Sequence, residues 1–432
     1  MVSNPIVPSS QHTAAVALPG EEKMTVNAMM EGAPQGILAG VRVLDFGRYV
    51  AGPYCATLLG YLGAEVIRVE RREGGEDRYI APVTPQGEGA VFLQCSPNKR
   101  SLTLDPTTPQ GREVVHRLVA TADIVVANLP AAALRQFGLD YATLCTVKPD
   151  IILVTQSAFG DGGPYATRGG FDGVGQAMSG SMYITGTPGN PVKGAAPYVD
   201  YTTASLSAFG ALAALLEKRQ TGRGQHVQAA LLSTALAVFN SHLVEQGVTG
   251  INRVGTGNRV QTSAPSDVFA TSDGHVLMHT VGNGLFKRWA KLMAKDGDDP
   301  ARWTDDPLFQ SDQSRADHAD PILERTRQWC AARTTAEAVL QLEAIGLPGG
   351  PVYTPQQALD DPQVAAMGFL RAVDYPGLPR PAPVADIPLK FSHSPVGIRT
   401  SPPTLGADTD SVLAELGYDS AAIAALRTAQ VV

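Results

Sequence analysis

The sequence predicts an α/β protein built on a parallel sheet, and three observations predict it. Short β-branched runs alternate with helix-length apolar patterns from residue 41 to residue 155. Glycine and proline punctuate the loops that follow those runs. The chain has 432 residues, 44% of them hydrophobic and only 17% charged, enough to bury a sizeable core. Strands alternating with helices put helices on both faces of a parallel sheet. Ligands of such sheets sit beyond the C-terminal strand ends.

The elements follow in order. Val41 to Phe46 reads as a strand, followed by a loop ending in Gly52-Pro53 and a short apolar helix from Tyr54 to Leu62. Ala64 to Glu70 is the next strand. A helix from Pro109 to Thr121 precedes a strand from Asp123 to Ala127. Helices at Ala131 to Phe137 and Tyr141 to Val147 precede a strand from Asp150 to Thr155. The loops after Phe46, Glu70, Ala127 and Thr155 are therefore where a ligand is expected. A glycine-dense segment, Gly160 to Gly194, leads into helices over Thr202 to Arg219 and Gln228 to Gln246. Residues 250–375 change character: a hairpin, Asp267 to Val281, turns at Ser272-Asp273-Gly274, and polar helices follow. They read as a smaller α+β domain. The tail from Pro383 is proline-rich and then helical, at Thr409 to Leu416 and Ser420 to Thr428. Residues 1–36 lack a period and read as a loosely ordered extension.

Composition narrows the function. Lys and Arg number 34 against 41 Asp and Glu, a net charge of −7, which argues against a nucleic-acid-binding surface. The four cysteines are widely spaced and read as free thiols of a reducing compartment. No apolar run reaches the roughly 18 residues of a membrane span, and no signal peptide is evident. A cytoplasmic protein without membrane or nucleic-acid partners is expected. Glycine stands at 44 of 432, about 10% against a typical ~7%. That surplus predicts tight turns and places where backbone approaches something closely.

The first loop, Gly47 to Gly52, has two glycines but neither G-x-G-x-x-G nor a Walker lysine. Glu70 ends the second strand, where a dinucleotide fold places its ribose-binding acid. Arginines cluster at Arg68, Arg71 and Arg72, and Arg135 stands near a later strand end. Arginine suits phosphate because its planar fork engages two oxygens. Lys99 and Arg100 read as a solvated face. The eight histidines are scattered without metal-ligand spacing, so no metal is expected. What remains is Gly169-Gly170-Phe171-Asp172-Gly173, just before an apolar helical run. Asp172 reads either as a helix cap or as a carboxylate set at a positive helix end for nucleophilic work.

These residues resemble the class III coenzyme A transferases, which include formyl-CoA:oxalate and carnitine CoA transferases and, more distantly, α-methylacyl-CoA racemases. The likeness spans about residues 38–432. It rests on Val43-Leu44-Asp45-Phe46 with Ala51-Gly52-Pro53, Leu62 to Glu70, Asn98 to Asp105, Ala122 to Asn128, Gly170 to Gly180, Thr221 to Gln225 and Gly350-Pro351-Val352. The resemblance implies a Rossmann-like large domain (37–225 with 380–432) closed by the C-terminal segment, a linker helix (226–249), a small domain (250–375) and an interlocked homodimer. It implies coenzyme A, carried in as an acyl-CoA substrate, a carboxylic acid acceptor and no metal. Asp172 matches the catalytic aspartate. Val50, Arg71, Leu104, Asn128, Leu129, Arg135 and Phe159 match or adjoin positions that hold CoA. The implied chemistry passes CoA through a thioester on Asp172, the alternative being acyl-CoA isomerisation with Asp172 as acid and base.

This chain also departs from the pattern. It lacks the small-domain glycine run of oxalate-using members, reading Gly255 to Gln261 there, and carries Val50 where formyl-CoA transferase has Gln. Gly406-Ala407-Asp408-Thr409 replaces Gly-x-His-Thr, and Phe171 stands where the racemases place His. Arg48, Lys193 and Arg259 are the cations that could meet a second carboxylate, such as that of succinate.

Overall fold

A computed structural model describes residues 36–432, so the extension expected over 1–36 lies, apart from Gly36, outside the described residues. Six parallel strands form the large sheet: β1 (Arg42–Asp45), β2 (Glu65–Glu70), β3 (Lys99–Thr103), β4 (Ile124–Ala127), β5 (Ile152–Ser157) and β6 (His226–Ala230). Their order is β3-β2-β1-β4-β5-β6, the doubly wound arrangement. Val43 of β1 pairs with Val66 on one side and Ile124 on the other. Successive strand residues point to opposite faces. Val43, Val66, Val126 and Val154 pack against Leu59 and Ala204, while Leu44, Ile67, Val125 and Leu153 pack against Val114 and Leu118. Both faces are covered, which is why the strands are apolar almost throughout.

The C-terminal helices, Thr409–Glu415 and Ser420–Thr428, contribute Val412, Leu413 and Leu426 to the second of these cores. The Asp105 backbone N–H donates to the Val431 carbonyl at 2.8 Å. A separate antiparallel sheet, β7 (Ser266–Ala270), β8 (His275–His279) and β9 (Gly349–Pro351), has its own core around Trp289, Trp303 and Trp329. A last hairpin pairs β10 (Leu370–Val373) with β11 (Ala382–Ala385).

Most predicted helices lie where the periodicity puts them; Pro109–Thr121, Ala131–Phe137 and Tyr141–Val147 carry the expected bounds. Four differences stand out. The first helix begins at Ala51, because a proline in the first turn loses only an N–H that has no helical partner. The helix expected from Gln228 begins at Leu231; pairing of Leu153 with His226 and Ser157 with Ala230 draws 226–230 into the sheet as its sixth strand. The helix expected from Thr202 begins at Tyr198, one turn earlier. That helix, Tyr198–Thr221, is long and apolar enough to cross a membrane by length and composition, yet its Ala204, Ala208 and Ala211 are buried against the sheet.

The fourth difference concerns charge. Lys99, expected on a solvated face, is buried, its ammonium 2.7 Å from Asp45 Oδ2 and 2.7 Å from the Pro53 carbonyl. Burial pushes Lys99 below its ordinary pKa against the opposing pull of Asp45. Glu70 is not a free ribose acid. Arg78 engages its two oxygens at 2.5 and 3.2 Å, Arg68 stands 3.4 Å away and the Ser101 hydroxyl donates at 3.0 Å. Arg68 in turn pairs with Asp77 at 2.7 Å, and Arg78 lies over the Phe92 ring at 3.8 Å. This buried cluster ties β2 to β3, to the turn Glu76–Tyr79 and, through Tyr375, to the segment before β11.

Burial alone would raise Glu70, but the two arginines overcome it and hold the carboxyl at about 2, below its ordinary 4.5. Its stabilising contribution is therefore complete above about pH 4.5 and is lost as the pH falls toward 2. Glu70→Gln leaves two buried guanidinium groups short of a counter-charge and should destabilise the fold by about 3–5 kcal/mol. Denaturant unfolding should show this loss at pH 7, together with a shallower decline of stability between pH 4.5 and 2 than in the parent.

Candidate active site

The sheet reverses its winding between β1 and β4, and the loops leaving these two strands meet there. Asp45, the last residue of β1, accepts the Gly47 N–H at 2.8 Å through Oδ1 while its other oxygen takes Lys99. Asn128, just past β4, closes the loop from the opposite side. Its Oδ1 accepts from the Arg48 N–H at 2.7 Å and its Nδ2 donates to the Arg48 carbonyl at 2.8 Å. The two glycines are required for space. A Cβ on Gly47 would stand 2.7 Å from Pro53 Cδ, and one on Gly52 would stand 2.9 Å from both Asn128 Oδ1 and Gly47 Cα. Between them Tyr49 adopts φ +61°, a left-handed conformation that non-glycine residues seldom take.

On one side of this loop lies a cleft over the ends of β1, β2 and β3, lined by Phe46, Gly47, Arg48, Arg71, Leu104 and Leu129 among others. Its exposed wall is mostly apolar, its cations are arginines, and the carboxylates of Glu70, Asp77 and Asp105 line it as well. The Glu76 carboxylate stands between two of them, 2.5 Å from Arg71 and 3.8 Å from Arg48. Hydrogen bonding at the start of its turn and both arginines hold Glu76 below the usual carboxylate range.

On the other side lies Asp172, buried at 5% exposure as the first residue of the helix Asp172–Met178. It does not cap that helix. Its Oδ1 accepts from the N–H groups of Val199 at 2.7 Å and Asp200 at 3.1 Å, in the first turn of the helix Tyr198–Thr221. The residue preceding that helix is Pro197, which offers no side-chain acceptor, so Asp172 supplies the cap from elsewhere in the chain. Oδ2 accepts from Gln176 Nε2 at 2.5 Å, and Gln176 Oε1 accepts the Gly194 N–H at 2.9 Å. The first loop touches this group directly: Tyr49 meets the Phe171 ring edge-on at 5.1 Å, and Ala51 shares a buried cluster with Val199.

The residues singled out by sequence fall into three sets. Arg71, Leu104 and Leu129 line the one cleft. Val50 and Asn128 belong to the loop between cleft and carboxylate, Val50 buried as it enters the first helix. Phe159 lies in the loop after β5, edge-on to Tyr165 at 5.6 Å; the neighbouring Ala158 would stand 3.0 Å from a Cβ on Gly170, close to Asp172. Arg135 is exposed on the helix Ala131–Phe137, outside the cleft lining. Among the second-carboxylate candidates, Lys193 packs near Gly173, its Cδ 3.4 Å from where a Cβ on that glycine would stand, and its ammonium donates to the Gly194 carbonyl at 2.8 Å. Among the described residues no group of three His, Cys, Asp or Glu could hold a metal ion.

Sequence reasoning did not find Gln176, Tyr49, Val199 or Asp200. Gln176 carried a usable signal, four residues after Asp172 on the same helix face. Val199 and Asp200 carried none, since they act through backbone N–H groups at a helix start placed one turn too late.

A family model described as CoA-transferase family III matches residues 38–409. The succinyl-CoA–D-citramalate CoA-transferase of Chloroflexus aurantiacus is 32% identical over 392 residues, 89% of this chain and 94% of its own. The succinate–glutarate CoA-transferase of Agrobacterium fabrum is 31% identical over 397 residues, 88% of this chain and 95% of its own. A crystal structure of a CAIB/BAIF family protein from Brucella suis superposes with a TM-score of 0.77 at 30% identity, covering 88% of this chain and all of that one.

Because Gly52 sits against Asn128, Gly52→Ala should displace the Arg48 backbone from its clamp. The expected outcome is a loss of kcat/KM for an acyl-CoA on the order of 10-fold to 100-fold, the scale of an ångström of misplacement. Steady-state kinetics against the parent enzyme measures it.

Proposed function

The chain belongs to CoA-transferase family III, and on that premise we propose that it moves CoA from succinyl-CoA to a carboxylic acid acceptor through a thioester on Asp172. The observation that carries this reading is the buried Asp172 carboxylate, held by two backbone N–H groups and one amide, beside a loop whose far side faces the arginine-bearing cleft.

The geometry supports each step. Asp172 attacks the donor thioester carbonyl, the C–S bond breaks, and a mixed anhydride and CoA thiolate form. The thiolate then attacks the aspartyl carbonyl and expels the donor carboxylate, leaving the aspartyl-CoA thioester. An acceptor carboxylate runs the steps in reverse. Each tetrahedral state at the aspartyl carbon carries an oxyanion. With Oδ1 as that oxygen, the Val199 and Asp200 N–H groups already stand at hydrogen-bonding distance and need no reorganisation. Arg71 and Arg48 take the nucleotide phosphates once these displace Glu76, and Leu104 and Leu129 cover the base. Anchoring CoA at that end keeps the released thiolate close to the anhydride. Lys193, packed near Gly173 with no acidic partner among the described residues, favours a donor with a second carboxylate.

We further propose that two copies of the chain assemble. The long helices carry exposed apolar side chains that a partner would cover: Leu206, Phe209 and Leu216 on one, Val238, Val244 and Val248 on Leu231–Thr249.

Two experiments test these proposals. Incubation with succinyl-CoA followed by borohydride should leave a reduced residue at position 172 in the peptide mass map, and more of it than acetyl-CoA gives. Asp172→Ala should lose transfer by at least about 10³-fold, the scale for removing a covalent nucleophile. An unmodified peptide with transfer surviving in that variant overturns the mechanism. Sedimentation should give twice the chain mass for the parent, and Phe209→Glu with Val244→Glu should give the single-chain mass.

A further inference from the structure

Gln176 is 1% exposed and stands one turn after Asp172 on the helix Asp172–Met178. Its amide is engaged at both ends. Nε2 donates to Asp172 Oδ2 at 2.5 Å, and Oε1 accepts the Gly194 N–H at 2.9 Å. These neighbours fix which way the amide points, because a backbone N–H can only donate and an ionised carboxylate can only accept. Accepting at Oε1 also polarises the amide and strengthens the donation from Nε2. The residue is held from behind as well. Its backbone carbonyl accepts the hydroxyls of Ser179 and Ser181, each at 3.1 Å, and Ser181 Oγ stands 2.7 Å from the Tyr198 hydroxyl.

The two oxygens of Asp172 are therefore not equivalent. Oδ1 receives the N–H groups of Val199 and Asp200, while Oδ2 receives, among the described residues, Gln176 alone. Oδ1 suits developing negative charge, and Oδ2 keeps lone-pair capacity for attack. We propose that Gln176 is a catalytic residue: its Nε2–H holds Asp172 Oδ2 as the attacking oxygen and stabilises that same oxygen when it departs with the donor acid.

The electrons balance at each step. Oδ2 bonds to the donor carbonyl carbon, the C–S bond breaks, and its electron pair goes to the CoA sulfur. Oδ2 is then the bridging oxygen of the anhydride. When the thiolate attacks the aspartyl carbon, the bond from that carbon to Oδ2 breaks and its pair goes to Oδ2, now an oxygen of the donor carboxylate. The Nε2–H already stands where that charge returns. No proton moves, so a group that neither gains nor loses one serves here. An ionised glutamate would set an acceptor against an acceptor, and asparagine is one methylene shorter. A protonated glutamate would reproduce both bonds, its O–H donating to Oδ2 and its carbonyl accepting from Gly194.

That equivalence supplies the test. The titratable side chains carried by the neighbouring segments are Tyr198 and Asp200 on the helix Tyr198–Thr221, Tyr183 on Ser181–Thr185, Lys193 near Gly173 and, across Phe171, Tyr49. The helix Leu231–Thr249 meets Gly175 through Leu231 and Ala235, neither of which titrates. All of these groups are present in the parent, so the ratio of variant rate to parent rate at each pH removes their contribution.

The inference rests on the Asp172 thioester, and the experiment separates the two. Full-length parent, Gln176→Leu and Gln176→Glu are assayed by exchange of carbon-13 succinate into succinyl-CoA, and parallel samples of the parent are reduced with borohydride. Gln176→Leu should lower kcat about 10²-fold at every pH, the scale of one donor lost from developing charge. Its KM for succinyl-CoA should stay within about threefold of the parent, since the amide acts after binding. Burial and the Asp172 charge raise the pKa of the carboxyl introduced by Gln176→Glu, so that variant should run near the parent rate at about pH 6 and fall at least about 10-fold relative to it by about pH 9. The rate should return when the pH is lowered. A ratio independent of pH in Gln176→Glu, a Gln176→Leu kcat within about twofold of the parent, or a rate loss that follows unfolding by circular dichroism each overturns the role of Gln176 alone. Absence of a trapped thioester at position 172 in the parent overturns both readings. The reversible response of Gln176→Glu carries the test even where Gln176→Leu does not fold.

Discussion

A single carboxylate, Asp172, is tied to the first turn of a helix that begins 26 residues later, and the arrangement of the site depends on that tie. The helix Tyr198–Thr221 spans the sheet, so its N-terminus is a fixed point in the fold. Pro197 leaves that N-terminus without a cap of its own. The glycine-dense segment supplies the missing acceptor and is anchored by doing so. Gln176 extends the anchor to Gly194 and closes the segment on itself. A reactive carboxylate on a loop would pay entropy to find its geometry; this one is held by the same N–H groups that stabilise charge on it.

The first loop is the second half of that arrangement. It reaches Asp172 through Tyr49 and Ala51 and the arginine-bearing cleft through Gly47 and Arg48. A ligand with a phosphate-bearing end and a reactive end can therefore lie along a single short segment. The segment is stiff because it is tied from two strands at once, by Asp45 at the end of β1 and by Asn128 past β4. Beneath it Lys99 bridges Asp45 and the Pro53 carbonyl with no exposure to water. Buried charge is an expensive way to hold a loop, and removing either partner would leave the other charge buried and uncompensated.

Much of the sheet was legible in the sequence, because both faces of a parallel sheet are covered and its strands are apolar almost without interruption. Val43-Leu44 and Ile124-Val125-Val126 announce themselves that way. β6 did not: His226-Val227-Gln228-Ala229-Ala230 has no strand pattern and becomes a strand only because β5 offers an unpaired edge. Lys99 and Glu70 looked solvated or ligand-bound, since charge alone does not reveal whether a partner waits across the fold. Glu70 meets Arg78 eight residues on, whereas Lys99 meets Asp45 from 54 residues away. The first distance is within reach of local reasoning and the second is not.

For the site, the sequence by itself determined the inventory: an aspartate among glycines at 169–175, a two-glycine loop after the first strand, and arginines near strand ends. Those are local facts, set by residue type and by backbone freedom at glycine. The tertiary structure decided what each one does. It turned Asp172 from the cap of its own helix into the cap of another, placed Arg71, Leu104 and Leu129 in one cleft while leaving Arg135 outside it, and brought Asp200 against Asp172. The reason is that these contacts run through backbone N–H groups and buried charges, whose partners are chosen by the crossing of distant segments and leave no periodicity in the chain.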